Sequence, residues 1–181
     1  MSVKERKIAI MGLKGVGKTS LCTRFVQGQF EEDCIPTISN FFNTSRQFKN
    51  EDYDLIIVDT AGQDEYSPFP TQYSIDIHGY VLVYSITSSK SFEVVKIIHD
   101  KLVDMLGVAN VPIVLVGNKT DLQFERMISI EEGRKLADSW NAAFIETSAK
   151  DDFAVKDLFH TMLLEIDNAN NGYKNNNCVI Y

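Results

Sequence analysis

The chain has 181 residues, 44% of them hydrophobic and 24% charged, the usage of one globular domain rather than of a disordered, collagen-like or disulfide-rich chain. Eighteen Lys and Arg against 25 Asp and Glu leave a net charge of −7, without the basic face that binding to a nucleic-acid backbone requires. Cys22, Cys34 and Cys178 show no C-x-x-C spacing, which points to a reducing compartment, and no stretch approaches the 18 or so apolar residues of a membrane span.

Short apolar runs alternate with longer amphipathic stretches. Lys7 to Gly12 reads as a buried strand, and Thr19 to Gln27 as a helix that Gly28 stops. Ser39 to Lys49 mixes β-formers with polar residues, the pattern of a strand with one wet face. Tyr53 to Asp59, Gly79 to Ile86 and Val111 to Gly117 are near-continuous apolar runs, as strands covered on both faces require. Ser91 to Leu106 carries Phe92, Val95, Ile98 and Leu102 at helical spacing. Ser129-Ile-Glu-Glu132 is a capping box that opens a helix reaching about Trp140. Ala143 to Glu146 is a last short strand. Phe153 to Ile166 is the last helix, with Val155, Leu158, Phe159, Met162 and Leu163 on one side.

This alternation predicts an α/β sheet with helices on both faces. Residues 30–38 and 60–75 break the pattern as polar and aromatic loops containing Pro36, Pro68 and Pro70. After Asp167 the chain becomes an Asn-rich run without periodicity. A single domain over 1–167 and a disordered tail over 168–181 are therefore predicted.

Gly12-Leu-Lys-Gly-Val-Gly-Lys-Thr19 matches the G-x-x-x-x-G-K-[ST] pattern between a predicted strand and a predicted helix. The backbone of Gly15, Val16, Gly17, Lys18, Thr19 and Ser20 is placed to aim N–H groups at phosphate oxygens, helped by the helix dipole. Lys18 supplies a point charge for the β- and γ-phosphates, and the Thr19 hydroxyl a ligand for Mg²⁺.

This loop alone does not separate kinases, ATPases and GTPases. Asp59-Thr-Ala-Gly-Gln63 follows a strand, where Asp59 can hold Mg²⁺, the Gly62 N–H can approach a γ-phosphate, and Gln63 can orient an attacking water. Asn118-Lys119-Thr120-Asp121 follows another strand, and the Asp121 carboxylate suits the paired N1–H and amino donors of guanine, which adenine lacks. Ser148-Ala149-Lys150 follows the last strand, where a backbone N–H can meet guanine O6. Thr37 can add a second hydroxyl to Mg²⁺, and Phe30 can pack on the base. Ligands in open α/β sheets sit outside such strand ends.

With these residues in place, the chain resembles the Ras superfamily of small GTPases, most closely its Rheb-like branch. The likeness covers about residues 5–167. It is carried by Asp59-Thr-Ala-Gly-Gln-Asp-Glu-Tyr66, Tyr73-Ser-Ile-Asp-Ile77, Ser91-Phe-Glu-Val-Val, Leu115-Val-Gly-Asn-Lys119, Glu131-Glu-Gly and Ser139-Trp-Asn-Ala-Ala-Phe144. It implies a P-loop NTPase G domain of six mostly parallel strands and five helices, and a GTP/GDP switch. The GTP form would act on the TOR kinase growth pathway. Residues 30–45 and 60–76 would meet an effector kinase complex, a GTPase-activating protein and an exchange factor, with the chain itself a monomer.

Lys14 stands where most Ras-like proteins carry Gly, and a long side chain there would crowd an arginine finger and Gln63, so slow hydrolysis is predicted. A GTP-binding scaffold with negligible hydrolysis is the alternative; an adenine-nucleotide kinase is disfavoured by Asn118 and Asp121. Cys34 and Ile35 replace a Tyr and an Asp of the Rheb-like pattern, which predicts a looser GTP state or altered partner contacts. Cys178-Val-Ile-Tyr181 fits the C-a-a-X prenylation pattern apart from its terminal Tyr. Lys174 is the lone basic residue of the tail, so the prediction is a cytoplasmic protein held reversibly on internal membranes, lysosomal or other.

Overall fold

The computed structural model describes residues 3–31, 37–68, 70–107 and 110–176. The chain forms strand β1 (Lys4–Gly12), helix α1 (Lys18–Gln27), and strands β2 (Ser39–Phe48) and β3 (Glu51–Thr60). It continues through β4 (Gly79–Ser85), α2 (Ser89–Leu106), β5 (Ile113–Asn118), α3 (Ile130–Ser139), β6 (Ala143–Glu146) and α4 (Val155–Asn176). Six strands make one sheet in the order β2-β3-β1-β4-β5-β6. Every neighbouring pair is parallel except β2 with β3.

That one antiparallel pair follows from its connection. Lys49 and Asn50 both adopt positive φ, 51° and 62°, as the two-residue hairpin turns that match strand twist require. The turn ends β2 at Phe48 and lets Glu51 and Asp52 join β3, so the strands meet two residues earlier than the apolar run from Tyr53 indicates.

Side-chain alternation along β1 divides the core in two. Ile8 and Ile10 face α1 and α4, in a cluster with Leu21, Phe25 and Phe159. Ala9 and Met11 face α2 and α3, in a cluster with Phe92, Ile98, Leu102 and Ala137. Phe25 and Phe159 stack with ring centroids 3.9 Å apart, which locks α1 to α4. The predicted capping box forms, with Ser129 and Glu132 each bonding the other's backbone N–H.

Two expectations need correction. The described residues hold four α-helices and two 3₁₀ turns, Thr71–Ser74 and Thr120–Glu125, rather than five helices. Pro68 and Pro70 remove backbone donors where a helix in the 60–75 segment would need them. The last helix also runs on to Asn176, through part of the segment predicted to be disordered. Asn is only a mildly poor helix former, and a docked helix propagates by one bond per added residue. Its buried apolar face ends at Ile166, and a polar anchor follows: Asp167 accepts from Arg6 at 3.3 Å and from the Tyr53 hydroxyl at 2.8 Å.

Candidate nucleotide site

The strands end where the motifs lie. A cavity of about 390 Å³ opens there, lined by residues of the β1–α1 loop, the segment after β3, and the loops after β5 and β6. Of the predicted residues, Gly15, Gly17, Lys18, Thr19, Ser20, Phe30, Thr37, Gly62, Asn118, Lys119, Asp121, Ala149 and Lys150 line it, as does Lys14. Glu31 and Leu122 line it too, without a motif of their own.

At one end the β1–α1 loop folds over Lys18. The Lys18 ammonium donates to the carbonyls of Gly12 and Leu13, both at 3.1 Å. Burial lowers its pKa to about 8, against the opposing pull of the Asp59 carboxylate. A phosphate anion in front of it would favour the charged form. Gly17 must be glycine on two counts: its φ is +98°, and a Cβ there would stand 2.3 Å from Asn118 Nδ2.

The three predicted metal ligands converge beside Lys18. Thr19 Oγ1 donates to Asp59 Oδ2 at 2.6 Å and lies 2.8 Å from Thr37 Oγ1. Asp59 is fully buried, its pKa is raised by burial, and its Oδ1 has no hydrogen-bond partner. Two hydroxyls and a desolvated carboxylate with a spare oxygen form a hard, all-oxygen donor set, and that set fits Mg²⁺.

At the other end the motifs predicted to read the base brace one another. Ser148 Oγ donates to Asp121 Oδ1 at 2.7 Å and itself accepts from the Asp151 N–H at 3.1 Å, which fixes the carboxylate's direction. Ser148 therefore acts on Asp121 rather than lining the cavity. The Asn118 amide donates to the Val16 carbonyl at 2.9 Å, while its oxygen accepts from the Thr147 hydroxyl at 3.0 Å. The Val16 side chain belongs to the core.

Gln63 is the exception among the predicted residues. Its N–H donates to the Gly12 carbonyl at 3.1 Å, which seats the segment against the β1–α1 loop. The side chain is 7% exposed, its Nε2 lacks a partner, and it is absent from the cavity wall. Gly62 beside it is pressed under Lys14, since a Cβ would meet Lys14 Cα at 2.5 Å. Cys34 and Ile35, and the C-terminal Cys178, lie outside the described residues.

The Ras family model matches residues 7–168. The chain belongs to the Ras family. It is a small GTPase, and the residues gathered at the cavity lie within the span that the family model matches. The chain is 58% identical over 181 residues to "GTP-binding protein Rheb homolog" of Drosophila melanogaster, covering 99% of this chain and 100% of that one. It is 57% identical to "GTP-binding protein Rheb" of Homo sapiens, covering 91% and 89%. It is 47% identical to "GTP-binding protein rhb1" of Schizosaccharomyces pombe, again covering 91% and 89%. These relatives support the Rheb-like likeness of the motifs.

Sequence reasoning missed Arg24 and Thr147, which bond cavity-lining residues from outside the cavity, and Lys101, which bonds the carbonyls of Glu65 and Ser67 beyond Gln63. None belongs to a motif, and each acts through partners distant in the chain.

Proposed function

We propose that the chain is a GTP/GDP switch that hydrolyses GTP slowly and, in its GTP form, activates an effector of the TOR growth-signalling pathway. One observation carries the nucleotide reading: a buried cation and a hydroxyl–carboxylate cluster stand at one end of a cavity whose other end holds an oriented Asp121 carboxylate. The first end suits phosphates and the second suits the paired donors of guanine.

Thr19, Thr37 and Asp59 would hold Mg²⁺, which when bound neutralises charge on the phosphates. Lys18 stabilises the negative charge that spreads over the γ-phosphate oxygens. A water oxygen forms its bond to the γ-phosphorus as the bond to the β–γ bridging oxygen breaks, giving GDP and phosphate. Slow hydrolysis follows from Gln63, whose side chain is packed away from the cavity. The same burial favours the second reading, a GTP-binding scaffold with negligible turnover. Timing one turnover on the pure protein separates the two, and identifying the nucleotide that co-purifies tests both.

Asp121→Asn tests the base assignment. An amide donates where the carboxylate accepted, so the variant should lose GTP and admit xanthosine triphosphate. A retained preference for GTP would refute it.

The partner reading rests on exposed apolar side chains within residues 37–45 and 60–76. Ile38, Phe41, Tyr66 and Ile75 all stand largely in solvent, which is the surface chemistry of a protein interface. An effector kinase complex, an activating protein and an exchange factor would dock there.

Membrane attachment would come from prenylation of Cys178, on the C-a-a-X-like terminus Cys178-Val-Ile-Tyr181. The end of α4 supports that placement. Asp167 bonds Arg6 and Tyr53, near the starts of β1 and β3, which places that part of α4 at the strand ends opposite those that carry the nucleotide cavity. A lipid there would leave the switch loops free on internal membranes. Mass spectrometry of the C-terminal peptide from eukaryotic cells decides it, and an unmodified Cys178 ends the idea.

A further inference from the structure

We propose that Arg24 is a positioning residue for guanine specificity, holding the Ala149–Lys150 backbone so that an N–H is presented to the base's O6. The proposal rests on the reading that the Ser148–Lys150 segment meets that oxygen. Arg24 lies in the last turn of α1 and stands behind the cavity wall rather than in it.

Each of its three guanidinium nitrogens donates to backbone. Nε donates to the Ala149 carbonyl at 2.8 Å, Nη2 to the Lys150 carbonyl at 2.8 Å, and Nη1 to the Gly28 carbonyl at 3.0 Å. A guanidinium is a rigid planar fork, so these bonds fix the loop relative to the end of the helix. A planar trans peptide points its carbonyl and its N–H in opposite directions. With the Ala149 carbonyl drawn onto Arg24, the Lys150 N–H is aimed away from α1. Both Ala149 and Lys150 line the cavity on that other side.

The same group also sits 5.9 Å from the centroid of the Phe30 ring, within cation–π range. Phe30 lines the cavity as well. One side chain thus joins the end of α1, the O6-facing backbone and the aromatic wall of the base slot. A long aliphatic residue at position 24 would keep the helix but free the loop.

The test compares GDP with 6-thio-GDP, which keeps the N1–H and amino donors read by Asp121 but replaces O6 with a weakly accepting sulfur. Full-length protein with Mg²⁺ is used, as wild type, Arg24→Met and Arg24→Lys. Wild type should prefer GDP. Arg24→Met should release GDP about tenfold faster, the scale of a lost charge-assisted hydrogen bond, and should lose most of its preference over 6-thio-GDP. Arg24→Lys keeps the charge and ring contact without the fork, and should fall between; it gives the same reading if Arg24→Met does not fold.

Faster release with the wild-type preference intact would overturn the proposal, leaving Arg24 as a tie at the end of the helix. An unchanged Arg24→Met would overturn it too. A wild type that does not distinguish the two nucleotides would overturn the O6 reading itself, a failure separate from that of Arg24.

Discussion

The side-chain amide of Asn118 donates to the carbonyl of Val16 at 2.9 Å, so the end of β5 and the β1–α1 loop share one buried bond. Asn118 also accepts from Thr147, which is fully buried, so a single side chain ties the ends of three segments.

Asn118→Ala would break both bonds and strand two buried polar groups. Each such group costs about 1–3 kcal/mol, and for a chain of this size 1 kcal/mol moves Tm by about 2–4 °C. The expected result is a fall in Tm of at least about 4 °C and up to roughly 24 °C, together with faster GDP release. Thermal melts of the GDP-bound protein and displacement of a fluorescent GDP check it. An unchanged melt would mean that the two loops stand independently.

Lys14 bears on the rate of hydrolysis. Its side chain is exposed at the cavity wall, and its backbone lies directly over Gly62. Lys14→Gly removes the bulk from the γ-phosphate end and gives the loop more freedom. Single-turnover hydrolysis should accelerate several-fold, on the order of 1 kcal/mol in the barrier. A rate equal to or below that of the unmodified protein would count against a role for Lys14.

The segment after Gln63 is held from the side by α2. Lys101 Nζ donates to the carbonyls of Glu65 and Ser67 at 3.0 and 2.9 Å, and Asp64 Oδ1 accepts the N–H groups of Tyr66 and Ser67. Lys101→Met keeps the aliphatic stem but deletes both donors. Hydrogen exchange of amides in residues 64–74 should then speed up, while α2 beneath stays protected. Lys101→Arg should restore slow exchange. If Lys101→Met exchanges like the parent, the segment is held by its own turn.

The sheet, and the gathering of the predicted site residues at one cavity, were legible in the sequence because their signals are local. Ser129 and Glu132 are three residues apart, and the capping box they announce forms. Apolar runs mark β4 and β5 because those strands are buried on both faces. What stayed illegible depends on contacts that only the topology creates. Arg24 bonds partners 125 and 126 residues away, and Lys101 bonds partners 36 and 34 residues away. The burial of Gln63 was hidden for the same reason. The DTAG-Gln pattern gives the residue's place in the chain, but packing against the β1–α1 loop decides where its side chain goes. The extent of α4 was misjudged because an Asn-rich composition does not disclose that Asp167 is anchored by Arg6 and Tyr53.

Glu165 on α4 offers a test of pH dependence away from the nucleotide. It borders a polar hollow with Asp138, Asn141, Ala142 and Ala143, and partial burial raises its carboxyl pKa above the ordinary 4.5. A carboxyl whose pKa is higher in the folded state favours folding while it is protonated. That contribution is present below about pH 4.5 and is lost as pH rises through the higher folded value, because the fold then holds a partly desolvated charge. Glu165→Gln keeps the shape and stays neutral. Its Tm should therefore exceed that of the parent at pH 7, and the gain should shrink as pH falls toward 4, where the parent's Glu165 becomes protonated. Thermal melts of both proteins across that range check the sign. A gain that persists unchanged at pH 4 would trace the effect to packing, not to the charge.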